Sequence, residues 1–197
     1  MEWNKVIYDS ESLLSHLLEI IDNKTNEDKN HNKLKTIIKQ QKLRVGVHLA
    51  IFIEPYLQYI IEGKKTIESR FSVNCIAPFK KIFQGDLILL KKSGGFIVGF
   101  CLVKDVWFYH LNPSTWNKIR NNFESELCIK DPQFWESKQH TLYATLIKLG
   151  EFNAFSPIRF QKKDRRGWVI LKLNETELKK NILKQINKTK SGLFYWL

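Results

Sequence analysis

Apolar positions recur with two different periods between residues 45 and 173, and these periods predict strands and short helices. Residues 45–53, VGVHLAIFI, are almost continuously apolar, which is typical of a strand buried on both faces. A helix is predicted after Glu54-Pro55, with apolar residues on one face: Tyr56, Leu57, Ile60 and Ile61. Gly63 then stands where the C-terminal cap of this helix is expected.

The remaining pattern predicts further strands at 66–71, 87–90, 96–108, 141–149 and 167–173, with an extended segment at 155–160. Helical spacing indicates a partly helical region within 112–138 and a Lys-rich helix at 175–188. Several strands with a few helices and no internal repeat favour a β-barrel-like α+β domain.

Residues 1–43 are predicted to form an N-terminal helical extension, and residues 44–197 the main domain. Leucines at helical spacing indicate a first helix, residues 23–33 contain no apolar side chain and indicate a loop or linker, and a second short helix follows. Two interpretations stay open: a helical hairpin that packs on the main domain, or an arm that binds a protein partner.

Net charge suggests the class of partner. The chain has 32 Lys and Arg against 20 Asp and Glu, a net charge of +12. Residues 157–190 alone have eleven basic and three acidic residues, a balance of +8. Such an excess favours nucleic acid first, and an acidic protein or an anionic membrane second.

The cysteines and the apolar runs suggest the compartment. Cys75, Cys101 and Cys128 are widely spaced and lack ligand spacing, so no metal site, disulfide framework or cofactor is predicted. The N-terminus has no signal-peptide pattern, and no apolar run is long enough to span a bilayer. We therefore expect a cytoplasmic protein that is not bound to a membrane.

The segment GKKTIESR, residues 63–70, concentrates charge within a predicted strand. Alternation places Glu68 and Arg70 on the same face, where the carboxylate can orient the guanidinium, and Lys64 and Lys65 lie in the preceding turn. Such a cluster suits a ligand that is anionic or rich in hydrogen-bonding groups. The alternative is an exposed edge strand whose charges prevent edge-to-edge pairing.

Two other basic segments are candidates for nucleic-acid contacts. The turn at Lys91–Gly95 places cations beside glycines whose backbone N–H groups can approach a phosphate, although a plain hairpin turn explains it equally. Arg165 and Arg166 are suited to phosphate, and Trp168 to stacking on a base, unless Trp168 belongs to the core. The motifs GxSxG and HExxH and a Cys-His pair are absent.

The string at Gly63, Lys65, Glu68 and Arg70 resembles the GxKxxExR motif of ASCH domains, which are relatives of PUA domains. The resemblance covers roughly residues 45–173, through HLAIFIEPYLQYIIEGKKTIESRFS, APF, GDLILLKKSGG and DRRGWVIL in that order. It implies a PUA-like mixed β-barrel with flanking helices, and a cleft beside the first helix that suits RNA or a modified nucleobase.

With this resemblance, the predicted nucleic-acid-binding residues are Lys64, Lys65, Glu68, Arg70, Ser72, Lys91, Lys92, Ser93, Gly94, Gly95, Arg165, Arg166 and Trp168. The family also contains enzymes, so the resemblance leaves open a hydrolase that acts on RNA or a modified nucleoside. In the branch that hydrolyses acetylcytidine nucleosides, the position of Glu68 is a Thr. If the protein is an enzyme, Lys65 and Glu68 are the expected catalytic residues, with Glu68 as general base.

Overall fold

The computed structural model describes residues 45–160 and 165–173, together with seven single positions in the N-terminal segment: 15, 19, 29, 30, 32, 33 and 36. The two continuous ranges contain seven strands and three helices. In chain order these are β1 (Val47–Phe52), α1 (Tyr56–Ile61), β2 (Ile67–Ser72), β3 (Leu87–Lys92), β4 (Ile97–His110), α2 (Pro113–Leu127), α3 (Pro132–Ser137), β5 (Tyr143–Leu149), β6 (Asn153–Ile158) and β7 (Trp168–Lys172).

The strands form one mixed sheet in the order β2-β5-β4-β3-β1-β7, and β6 pairs with β4 outside this path. β1 and β3 are parallel, and the other pairs are antiparallel. β4 is 14 residues long, and its first half pairs with β3 and β6 while its second half pairs with β5. One long strand therefore joins the two halves of the sheet.

The α+β class and the mixed sheet agree with the sequence pattern, but the predicted β-barrel is not closed. β2 and β7 occupy the two ends of the strand order and do not pair with each other. The Arg70 side chain on β2 instead reaches the backbone of Ile51 on β1 and of Gly167 before β7. Hydrogen bonds from the Arg70 side chain thus connect the two ends of the sheet, which backbone hydrogen bonds between β2 and β7 would join in a closed barrel.

The core lies on both faces of β1, as its continuous apolar sequence predicts. Val47 and Leu49 pack into a cluster with side chains from β3, β4, β6 and β7. Ala50 and Phe52 pack on the opposite face, in a cluster that includes α1 and β5. β1 is therefore fixed from both sides, which makes it a rigid wall for any neighbouring site.

A buried polar chain joins β1 to β7 through His48. The indole Nε1–H of Trp168 donates to His48 Nδ1 at 3.2 Å, and His48 Nε2 lies 3.1 Å from Asp86 Oδ2. Because an indole only donates, Nδ1 must accept, and Nε2 carries the hydrogen that faces Asp86. The backbone N–H groups of Gly46 and Phe83 also donate to the Asp86 carboxylate, so this buried anion is well satisfied.

The partly helical region predicted at 112–138 is two helices. The Asn112 side chain accepts from the backbone of Thr115, and Thr115 reciprocates, which starts α2 with a capping box. Cys128 has a left-handed conformation with φ of 55° and ends α2, and Pro132 starts α3. This break brings Ile129, between the two helices, toward β2.

The N-terminal segment contacts the main domain through the positions that the structure describes. Residues 29, 30, 32 and 33 are helical, so the loop predicted at 23–33 is wrong at these positions. Asn30 Nδ2 donates to the carbonyl of Ala154 at 2.7 Å, and Lys33 Nζ donates to Asn153 Oδ1 at 2.6 Å. These hydrogen bonds to β6 connect the N-terminal segment to the main domain at positions where the sequence has no apolar side chain. The helix predicted at 175–188 lies outside the described residues.

In the part of the chain that the structure describes, no helix has the length and apolar character needed to cross a bilayer.

The close approach of the chain around the start of β6 to β4 requires a glycine at position 99. A Cβ added at Gly99 would lie 2.5 Å from the Asn153 carbonyl oxygen and 2.5 Å from a Phe152 ring carbon. We expect Gly99→Ala to lower the free energy of unfolding by about 1–3 kcal/mol, measured by urea denaturation. Gly95→Ala is the control, because its Cβ would meet only the flexible side chain of Lys92. Equal stability of the two variants would contradict the close approach.

A candidate binding cavity beside the second strand

The turn after α1 places Lys65 inside the protein. Gly63 has φ of 71°, a conformation that glycine adopts without a Cβ penalty. The backbone N–H groups of Lys64 and Lys65 then both donate to the Tyr59 carbonyl, at 2.8 Å and 3.0 Å. The predicted C-terminal cap is therefore observed, and it leads the chain directly into β2.

Alternation along β2 separates core and site, as predicted. Ile67 and Phe71 pack against side chains of α2 and α3. Glu68 and Arg70 point to the opposite face, toward α1 and the ends of β1 and β7. A single strand thus anchors itself with one set of residues and presents charge with the other.

Lys65 is the deepest charged group of this face, with 3% of its surface exposed. Its Nζ donates to the Leu127 carbonyl at 2.9 Å, lies 3.5 Å from Glu68 Oε2, and sits 5.4 Å from the centre of the Tyr56 ring. Burial lowers the pKa of Lys65, and the nearby Glu68 carboxylate opposes this shift. Lys65 also ties the C-terminal end of α2 to the start of β2.

The Glu68 carboxylate lies between two cations. Its Oε2 faces Lys65, and its Oε1 lies 2.9 Å from Arg70 Nε. The Arg70 Nε atom is buried and has no aligned hydrogen-bond acceptor among the described residues, so this close contact is mainly Coulombic. The carboxylate therefore orients both cations without using up its hydrogen-bonding capacity.

Arg70 bridges the open side of the sheet. One terminal nitrogen donates to the Ile51 carbonyl at 3.0 Å, and the other donates to the Gly167 carbonyl at 3.1 Å. The guanidinium lies between the rings of Phe52 and Trp168, 5.2 Å from each ring centre. The planar guanidinium suits this role because it forms several directed bonds and stacks on aromatic rings at the same time.

A cavity of about 250 Å³ opens above these charged groups. It is lined by Ile51, Phe52, Ile53, Tyr56, Lys65, Glu68, Ser69, Arg70, Phe71, Ile129, Phe134 and Lys138. Three cations and one carboxylate contribute to this lining, so its formal charge is +2. Apolar and aromatic walls over a small polar floor are the usual composition of a small-molecule site.

Nine of the twelve lining residues lie outside the predicted site, and four of these nine come from the helices or the link between them: Tyr56, Ile129, Phe134 and Lys138. Phe134 and Lys138 are four residues apart on and just after α3, and the Lys138 Nζ lies 5.8 Å from the Phe134 ring centre. Burial raises the pKa of Tyr56, and the charges of Asp131 and Glu68 raise it further. In the sequence, Phe134 and Lys138 have the i,i+4 spacing of residues on one helix face, but this spacing is equally typical of a helix in the core.

Two predicted residues near the motif lie at the surface. The Lys64 side chain is 64% exposed, and its Nζ lies 2.6 Å from Glu62 Oε2. The Ser72 hydroxyl donates to the Asn74 carbonyl at 2.8 Å. Neither residue lines the cavity.

The turn at Lys91–Gly95 lies beside the cavity and does not line it. The Ser93 backbone N–H donates to the Phe52 carbonyl at 2.8 Å, which joins this turn to the end of β1. Lys91 is buried, and its Nζ donates to the Lys92 and Gly95 carbonyls. The Lys91 ammonium therefore fixes the turn itself.

The remaining polar atoms of that turn are exposed. Lys92 Nζ lies 3.2 Å from Glu54 Oε1, in a surface ion pair next to the start of α1. Gly94 has φ of 68°, which a turn of this kind requires.

The third predicted segment does not line the cavity and is joined to it through Arg70. Arg165 and Arg166 are exposed and precede Gly167, the residue whose carbonyl accepts from Arg70. Trp168 is only 5% exposed and is occupied by Arg70 on its ring and by His48 at its nitrogen. Its ring therefore holds the site together in this structure and presents no open face to a base.

Comparison with solved structures identifies the fold. The protein is similar to a Tyr-to-Phe variant of the ASCH protein from Zymomonas mobilis, with a TM-score of 0.50, 16% identity, and coverage of 66% of this chain and 94% of that chain. A Ser-to-Ala variant of the same protein gives a TM-score of 0.50 at 16% identity, and covers 69% of this chain and 95% of that chain.

The fold is ASCH-like. At 16% identity the likeness concerns the ASCH-like architecture and not the ligand. No protein-family model matches the sequence, and no curated protein matches it. The ASCH-like resemblance that the sequence motif indicated is thus confirmed at the level of fold.

Because the Lys65–Glu68 pair is buried, we expect the removal of its carboxylate to destabilise the fold. We expect Glu68→Ala to lower the free energy of unfolding by about 3 kcal/mol, because it leaves the buried Lys65 ammonium without its carboxylate. Thermal and urea denaturation measure this loss. Glu62→Ala is the matched control: it also removes a carboxylate from a lysine partner, but that lysine is largely exposed. A Glu68→Ala protein as stable as the control would contradict the proposed importance of the pair.

Proposed function

We propose that this protein binds RNA or a modified nucleotide, with one nucleobase in the cavity and the adjacent phosphates at its rim. The observation that carries the proposal is the floor of a cavity of about 250 Å³, where the buried Lys65 and Glu68 meet the half-buried Arg70. Buried charges are costly to fold, and a floor made of them is most useful when a ligand uses their hydrogen-bonding groups.

The walls of the cavity suit a flat heterocycle. Tyr56 and Phe134 provide aromatic surface, and Ile51, Ile53 and Ile129 provide aliphatic surface. Proteins that take a single base out of a strand generally hold it between such side chains and contact its polar edge at the bottom.

The rim supplies cations for a phosphate backbone. Lys138 lines the cavity, and Arg165 and Arg166 are exposed next to the Gly167 carbonyl that Arg70 binds. Lys138 lies at the end of α3, and the two arginines are consecutive in the segment before β7. These three cations agree with the net charge of +12 of the whole chain, which favours an anionic polymer.

The first test concerns Lys138, which contributes to the cavity without a structural bond to another element in the described residues. We expect Lys138→Ala to weaken binding of single-stranded RNA and to reduce the slope of log affinity against log salt by about 0.7. Fluorescence anisotropy at several salt concentrations, with single-stranded RNA, duplex RNA and DNA, measures both quantities.

Lys118→Ala is the matched control, because it removes the same charge from an exposed position on α2 away from the cavity lining. Equal affinities and slopes for the two variants would place the binding elsewhere on the protein. Absence of binding by the wild-type protein to all three nucleic acids would refute the proposed function.

A hydrolase that acts on RNA or a modified nucleoside is the second candidate. One observation favours it: burial lowers the pKa of Lys65, whose ammonium lies 3.5 Å from the Glu68 carboxylate. Titratable groups perturbed by burial and by a specific partner are frequent in active sites. In this mechanism Glu68 accepts a proton from the attacking hydroxyl or water, and Lys65 and Arg70 stabilise the developing negative charge.

Incubation of the protein with RNA and with nucleosides tests the hydrolase function. RNA and modified nucleosides are incubated with wild-type protein and with Glu68→Gln, and the products are separated by mass. A hydrolase with Glu68 as general base loses at least about 100-fold of its rate in this variant. Unchanged RNA and nucleosides after incubation with the wild-type protein would support the binding function alone, and equal turnover by the variant would exclude Glu68 as the base.

A further inference from the structure

At the floor of the cavity, Lys65, Glu68 and Arg70 have hydrogen-bond donors and acceptors that their contacts with the described residues do not use. Lys65 has three N–H donors, of which one goes to Leu127 and one faces Glu68, so one remains. Arg70 has five, of which one on each terminal nitrogen goes to a backbone carbonyl, so among the described residues each terminal nitrogen keeps one. The Nε atom lies 2.9 Å from Glu68 Oε1 without an aligned hydrogen bond.

Glu68 provides acceptors only. Each carboxylate oxygen has two lone pairs and faces one cation, so both oxygens can still accept a hydrogen bond from a ligand. Glu68 is 6% exposed and lines the cavity, so a ligand in the cavity is the natural source of that hydrogen bond.

The order of these groups in space is fixed. Lys65 approaches one carboxylate oxygen of Glu68 and Arg70 approaches the other, so the carboxylate stands between the two cations. From Lys65 through Glu68 to Arg70, the groups are therefore a hydrogen-bond donor, an acceptor and a donor. The complementary ligand edge is acceptor, donor and acceptor.

Among the four bases of RNA, uracil has this edge. Its imide presents a carbonyl, an N–H and a second carbonyl in sequence, so its N–H meets Glu68 and its two carbonyls meet Lys65 and Arg70. Cytosine and adenine instead present a ring nitrogen acceptor at the centre, which would face the carboxylate with no hydrogen between them. Guanine matches at two positions and then presents an amino group toward a cation.

The volume agrees with a single ring. A cavity of about 250 Å³ lies below the range of roughly 300–1,000 Å³ that is typical of drug-sized ligands. Tyr56, Phe134 and Ile129 line this cavity, and its small volume favours a pyrimidine over a purine of equal polarity.

We infer that the cavity selects a heterocycle with an imide edge, of which uracil within an RNA strand is the type, and that Glu68 reads its central N–H. This inference rests on the proposed function, because it concerns which base enters the same cavity. Glu68 is then the specificity-determining residue, and the rim cations contribute affinity without regard to sequence.

The test compares single-stranded oligomers of one length and equal charge: oligouridine, oligocytidine and oligo-3-methyluridine. Equal phosphate charge keeps the electrostatic part of binding the same, so differences report the base edge. We expect oligouridine to bind roughly 10-fold to 100-fold more tightly than the other two, because each places an acceptor or a methyl group against Glu68.

The Glu68→Gln variant sharpens the test, because an amide can donate to the ring nitrogen of cytosine. We expect this variant to lose the preference for oligouridine over oligocytidine, while Glu62→Gln, which changes a surface residue, keeps it. Circular dichroism checks that the variant is folded, and if it is not, the 3-methyluridine comparison with wild-type protein decides alone.

Two results separate this inference from the proposed function. Equal affinity of the wild-type protein for all three oligomers, with binding still weakened by Lys138→Ala, overturns the imide reading and leaves RNA binding intact. No binding to any of the three oligomers overturns both.

Discussion

The Arg70 guanidinium is the interaction on which the rest of this structure depends. The sheet is not closed by a backbone ladder between β2 and β7, and the Arg70 side chain connects the two ends instead. It bonds the backbone on one side and pairs with Glu68 on the other. The same side chain also lines the cavity, which is bordered by β2, the end of β1, α1 and α3.

Two polar systems support this arrangement from opposite directions. On the β7 side, Trp168 stacks on Arg70 and is held by His48, which Asp86 orients in turn. On the β2 side, Glu68 pairs with Arg70 and Lys65, and Lys65 is anchored to the end of α2. Ring, guanidinium, carboxylate and ammonium therefore form one continuous series across the open side of the sheet.

This series is a costly way to hold a sheet together. A buried ion pair is often no more stable than well-packed apolar residues of the same size, so stability alone gives no reason to keep it. Local choices that conflict with the best packing are expected where a protein binds or reacts. The lowered pKa of Lys65 reflects the same conflict, because burial disfavours a charge that the fold nevertheless retains next to a cavity.

The elements of the main domain could be read from local pattern. The continuous apolar sequence of β1, the glycine after α1 and the alternation along β2 each act within a few residues, so their consequences are present in the sequence. The same alternation put Glu68 and Arg70 on one face. Lys65 was included because it lies in the motif, although sequence gives no measure of its burial.

Other features depended on residues that are far apart in the chain. Trp168 could have been an exposed stacking residue or part of the core, and its contacts with His48, 120 residues earlier, placed it in the core. In the sequence, Phe134 and Lys138 have only the spacing of an ordinary helix. In the structure, the break at Cys128 turns α3 toward β2, so both residues line the cavity. Whether the sheet closed was decided by how β2 and β7 meet, which no local pattern records.

The sequence by itself therefore determined the strands, the short helices and the charged face of β2, because periodicity and turn geometry are short-range properties. Only the tertiary structure decided that this face is buried, that Arg70 spans an open sheet, and that Tyr56, Ile129 and Phe134 enclose the space above it. Burial and enclosure arise from contacts between distant segments, and those contacts exist only after the chain has folded.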